Sequence, residues 1–182
     1  MNNTLYYWGY PDTTVSFCEK KYDRIYWIAE YNNTVSAGFY LIFGLFFLFT
    51  KIKHVGTSMI ILGISTAVMH GTLRFYGQWL DECSMLIITY SGIQLIDKSF
   101  SNYGYIVLTL LYFAIKEYFI LFFLLFTSMQ LYIFYLSCHK KISCYQKIFI
   151  LKYMICFIIG FVCWIIDQTL CNEIGNFPFH AL

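Results

Sequence analysis

Three side chains in the middle of the sequence have the types and spacing for hydrolytic chemistry: Thr66, His70 and Asp81. Thr66 and His70 stand four residues apart, so on a helix they share a face. An imidazole can ligate a metal, a carboxylate can take a proton from water, and a hydroxyl can donate to a developing oxyanion. A second histidine, His180, follows Pro178 near the end of the sequence. His70 and His180 would be two of the three protein ligands that a catalytic zinc takes, with water in the fourth place. Each group also has an ordinary reading. A histidine bonded to nearby backbone, and a threonine bonded to its own helix, need no metal. Asp81 and Glu82 open an apolar run, where the helix dipole favours carboxylates in any case.

The elements that must position these groups are apolar. Of 182 residues, 59% are hydrophobic and only 12% charged, with a mean hydropathy of +0.62. A soluble domain carries about 25% charged residues, so the composition predicts an all-α membrane protein. Six spans are expected, over residues 25–50, 56–74, 80–96, 103–115, 118–136 and 148–170. The fourth is short for a hydrocarbon core of about 30 Å and is expected to borrow residues 99–102. Gly71 and Gly77 mark the connection between the second and third spans. Residues 1–24 form a polar, aromatic lead-in, and residues 25–182 the membrane bundle. The first residues lack the basic region of a cleavable leader, so none is expected. A net charge of +2 gives no reason to expect nucleic acid as a partner.

Loop charges set the orientation. The connections after spans one, three and five hold Lys51, Lys53, Lys98, Lys140, Lys141 and Lys147, and the others only Arg74 and Lys116. Basic loops face the cytoplasm, which places the N-terminus in a lumen or outside the cell. Glu19, Glu30, His70, Asp81, Asp167 and His180 then all fall at the non-cytoplasmic ends of their spans. Ionisable groups at membrane depth are costly and mark functional sites. Cys18 and Cys171 also lie on that side, where disulfides are permitted.

The motifs are specific enough to name a resemblance. Tyr7-Trp8-Gly9, Phe17-Cys18-Glu19 and the run from Ile28 to Ser36 form one motif. His70-Gly71-Thr72-Leu73 with Gln78-Trp79-Leu80-Asp81-Glu82 and Met85 form a second. Trp164-Ile165-Ile166-Asp167 with Cys171 and His180-Ala181 form a third. In this order they resemble the alkaline ceramidases, seven-helix zinc membrane amidases of a wider group that includes the adiponectin receptors. The resemblance implies hydrolysis of the ceramide amide to sphingosine and a fatty acid, in an endomembrane such as the ER or Golgi. It implies His70 and His180 as zinc ligands and Asp81 as the residue that orients or deprotonates the water. Thr66 would stand for a serine near the oxyanion, Asp167 would support the ligands, and Cys18–Cys171 would be a disulfide.

Two departures carry consequences. The family's last motif is a histidine pair on the seventh helix, and this sequence ends three residues into it. Six of seven helices are therefore expected, with zinc binding and activity impaired by the missing ligand. The alternative is a non-catalytic lipid-binding relative of the same fold. The second departure concerns the family's calcium site, where Phe17, Glu19 and Glu30 are retained. Ser16 and Lys21 replace an expected aspartate and asparagine, which leaves few of the oxygens calcium wants. The Lys21 ammonium is expected in the cation's place, bridging Glu19 and Glu30.

Overall fold

The computed structural model describes residues 6–175, 177 and 181. Their regular structure is entirely helical: α1 (Tyr31–Leu48), α2 (Lys53–Thr72), α3 (Phe75–Ile96), α4 (Tyr103–Ile115), α5 (Phe119–His139), α6 (Cys144–Thr169) and α7 (Cys171–Ile174). Only helices satisfy every backbone group within one segment, which a hydrocarbon environment demands. Three of them, α2, α5 and α6, are long and apolar enough to cross a membrane on length and composition alone.

Short connections make sequential helices neighbours: α1 packs on α2, α2 on α3, and α3 on both α4 and α5. The main core lies where α3, α4 and α5 meet, around Leu86, Tyr90, Ile93, Tyr112, Phe122, Met129 and Ile133. α3 is the central helix. It buries polar side chains from end to end, Gln78, Asp81, Glu82, Ser84, Thr89, Ser91 and Gln94. α6 is the opposite case, with Asp167 its one buried residue. It leans on α5 through a ring ladder that includes Phe119, Phe123, Phe161 and Trp164.

α1 and α2 touch through backbone at glycines, as small residues allow between membrane helices. A Cβ on Gly56 would stand 2.7 Å from both the Gly44 carbonyl oxygen and the Leu48 nitrogen. Backbone atoms cannot swing aside, so Gly56→Ala must separate the helices. It is expected to cost about 1–3 kcal/mol, read as a lower thermal midpoint in detergent. Gly160→Ala, with nothing within 4 Å of its added carbon, should show no such loss.

Residues 6–30 form a strap across one end of the bundle. Asp12 accepts from the Phe75 nitrogen at 2.5 Å and pairs with Arg74 at 2.9 Å. The Ala29 and Glu30 nitrogens donate to the Gly71 and His70 carbonyls, each at 2.9 Å. Cys18 and Cys171 are joined in a disulfide that ties the strap to the end of α6. Within the strap, burial pushes the Tyr22 hydroxyl above its ordinary pKa. At the far end of the bundle, Lys140 pairs with Asp97 at 2.8 Å and holds that carboxyl down to about 2.

Several boundaries differ from the expectation. Residues 25–30 are not helical; at Ala29 and Glu30 the backbone pairs with the end of α2 instead. α4 begins at Tyr103 without borrowing residues 99–102. The two glycines are not in the connection: Gly71 lies in α2 and Gly77 in α3. Gly77 instead lets α3 approach the Met69 backbone, 2.8 Å from where a Cβ would be. The turn is made by buried Leu73 in the left-handed region, φ +52°, a conformation costing a leucine about 1–2 kcal/mol. The Asp12 nitrogen bonds its carbonyl at 3.2 Å and helps hold it there.

Candidate active site

The strap, α1, α2 and α3 bring most of the expected site residues to one end of the bundle. His70 lies in the last turn of α2 and is 1% exposed. Its Nδ1 is 2.6 Å from Oε2 of Glu30, which caps the start of α1 and is fully buried. The backbone of the same two residues is paired as well, so each fixes the other's direction. The Phe17 ring packs against the imidazole with centroids 4.9 Å apart.

Glu30 is shared further. Asn33 donates to Oε2 at 3.1 Å, and the Lys21 ammonium donates to Oε1. Lys21 also donates to the Phe17 carbonyl at 2.7 Å. The ammonium therefore sits on the Phe17 and Glu30 oxygens that the resemblance assigns to calcium. The expected bridge to Glu19 is not what forms. Glu19 instead accepts from the Asn32 nitrogen at 2.6 Å, the Asn32 amide at 2.9 Å and the Asn33 nitrogen at 3.0 Å. It thereby satisfies backbone donors that the first turn of α1 would otherwise leave open. With a lysine already on its oxygens, this donor set does not fit calcium.

Asp81 is buried in the second turn of α3, because the helix begins at Phe75. The ordinary reading, a carboxylate at a helix N-terminus, is thereby removed. Its Oδ1 accepts from the Thr66 hydroxyl of α2, so Thr66 is not bonded to its own helix. Thr66 lies one turn before His70 on α2, so the hydroxyl bonded to Asp81 and the imidazole share a face of that helix. A hydroxyl, a carboxylate and an imidazole thus converge where α2 and α3 pack.

These groups suit zinc. A carboxylate on one ring nitrogen fixes the tautomer and turns the other nitrogen's lone pair outward. With Glu30 on Nδ1, Nε2 is the atom through which His70 could hold a metal. His180, the second expected ligand, lies outside the described residues. Asp167 is fully buried and accepts from the Cys18 nitrogen at 3.0 Å. It thus braces the strap beside the disulfide. Both thiols near Asp167 are used in the Cys18–Cys171 bond, so this trio is not a metal set.

One buried network was not anticipated. Glu82 accepts from Gln78 at 2.6 Å and from the Tyr112 hydroxyl of α4 at 2.9 Å. Gln78 reaches Thr14 of the strap, accepting from its nitrogen at 2.7 Å and donating to its hydroxyl at 2.6 Å. The i,i+4 pair Gln78 and Glu82 is visible in the sequence, but Tyr112 in an apolar run carries no such signal.

The ceramidase family profile matches residues 9–178. Mouse alkaline ceramidase 1 is 32% identical over 94 residues, covering 46% of this chain and 34% of that protein. The alkaline-ceramidase-like protein dcd3B of Dictyostelium discoideum is 28% identical over 112 residues, covering 48% and 39%. The yeast alkaline ceramidase YPC1 of Saccharomyces cerevisiae is 25% identical over 87 residues, covering 43% and 28%. The matched stretches span well under half the length of each relative.

Proposed function

This chain belongs to the ceramidase family, and on that premise we propose that it hydrolyses the amide of a ceramide-like lipid to a sphingoid base and a free fatty acid. The observation that carries this reading is the Thr66–Asp81 pair beside a histidine oriented by Glu30. His70 and His180 would hold zinc. When bound, the ion would supply Lewis acidity that activates water and polarises the amide carbonyl. Asp81 takes the proton of the attacking water and returns it to the departing amine nitrogen. As Asp81 takes up the proton, the Thr66 hydroxyl turns from it to donate to the carbonyl oxygen, where negative charge develops. Glu30 keeps the His70 proton on Nδ1.

Lys21 takes the place of a calcium ion in this reading, so activity is independent of calcium. The strap faces a lumen or the cell exterior, consistent with the Cys18–Cys171 disulfide, and the enzyme is a multi-pass protein of an endomembrane.

The test is zinc content by elemental analysis, with ceramide turnover followed as sphingosine release, for the chain and for His70→Ala. About one zinc per chain, lost together with turnover in His70→Ala, is the expected result. Absence of both from the unaltered chain would favour a lipid-binding relative without catalysis.

A further inference from the structure

The end of the bundle opposite the disulfide carries a feature that hydrolysis does not use. α5 closes at His139 and α6 opens at Cys144, so their connection is flanked by two thiols, Cys138 in the last turn of α5 and Cys144 at the first position of α6. Both are exposed and neither is in a disulfide. The 26 residues of α6 run about 39 Å at 1.5 Å per residue, enough to cross a core of about 30 Å. Cys171 lies just past one end of α6 and Cys144 at the other. A disulfide persists on the oxidising side of a membrane, and thiols on the reducing side. The two free thiols therefore sit at the lipid–water border facing the cytosol.

Their surroundings suit an anionic, long-chain acyl donor. Lys141 and Lys147 are exposed beside them. Beyond Cys144, the lipid-facing surface of α6 carries Tyr145, Ile148 and Phe149, which are 70, 47 and 53% exposed. A fatty chain attached at this border would lie along that surface. It would also tether the end of α6 that the disulfide does not hold. There the helix is linked to α5 by the 2.5 Å bond from the Tyr153 hydroxyl to Gln130.

We propose that Cys138 and Cys144 are S-acylation sites. The cysteine sulfur attacks the thioester carbonyl of a fatty acyl-coenzyme A. A new carbon–sulfur bond forms to the cysteine, the bond to coenzyme A breaks, and coenzyme A leaves as the thiol with the proton the cysteine gave up. Juxtamembrane cysteines are the usual acceptors of such reversible modification, and the phosphates of coenzyme A complement the lysines.

The full chain, expressed in eukaryotic cells fed an alkynyl fatty acid, tests this. Label released by neutral hydroxylamine is expected, reduced in Cys138→Ser and in Cys144→Ser and absent when both are changed. Cys156→Ser/Cys163→Ser, altered at depth in α6, should keep the label. An intact Cys18–Cys171 disulfide on non-reducing gels reports that each variant is folded. No hydroxylamine-sensitive label on the unaltered chain, or label persisting in Cys138→Ser/Cys144→Ser, would overturn the proposal. Neither result bears on the zinc and turnover measurements.

Discussion

Asp81→Asn is expected to lower ceramide turnover by about 10²–10⁴-fold while leaving zinc content and the thermal midpoint near those of the unaltered chain. The asparagine side chain has the same shape, and its amide oxygen can still accept from the Thr66 hydroxyl. What it cannot do is take a proton from water. The substitution thus separates the carboxylate's chemistry from its place in the packing between α2 and α3. Sphingosine release checks the rate, and elemental analysis and a melting curve check the rest. A fall smaller than tenfold would remove Asp81 as the base. A collapse of the melting curve would make it a structural residue instead.

Lys21→Ala should have the second largest effect, on stability first and activity through it. Glu30 is fully buried, and the Lys21 ammonium bonds it and the Phe17 carbonyl together. Removing one partner of a buried ion pair costs about 3–5 kcal/mol. About 3 kcal/mol is the better figure here, because Lys21 is 24% exposed and solvent screens part of the loss. The variant also leaves two oxygen ligands facing a space the size of an ammonium. Millimolar calcium should therefore raise its melting temperature and leave the unaltered chain unmoved. Strict calcium dependence of the unaltered chain would refute the idea that lysine has replaced the ion.

The helices were legible in the sequence because apolar runs between charged connections have few alternatives in a bilayer. Their ends were less so, wherever tertiary pairing decides them. Residues 25–30 read as the start of a span by hydrophobicity, yet Ala29 and Glu30 give their nitrogens to the carbonyls of Gly71 and His70. No local pattern announces a pairing across forty residues. The site was legible as a set of residue types, and the spacing of Thr66 and His70 gave one face of α2 correctly. The partners were harder. Asp81 looked like a helix-start acid until α3 was seen to begin six residues earlier. The pairing of Lys21 with Glu30 agrees with the sequence, but its second oxygen is the Phe17 carbonyl and not Glu19, because the Asn32 and Asn33 amides already fill that carboxylate.

The strap also sets an order of assembly. Its residues are made before everything they hold. Asp12 waits for the start of α3, Glu30 for the end of α2, and Cys18 for a partner 153 residues downstream. Glu30 and Asp12 can therefore dock once α2 and the start of α3 are made, but Cys18 stays without its disulfide partner until α6 is complete. The bond between Cys18 and Cys171 forms only after the whole of α6 has been made. A nascent chain stalled before that point would keep the Cys18 thiol without its partner. Quality control would thus have a covalent signal of completion, delivered late and at one place.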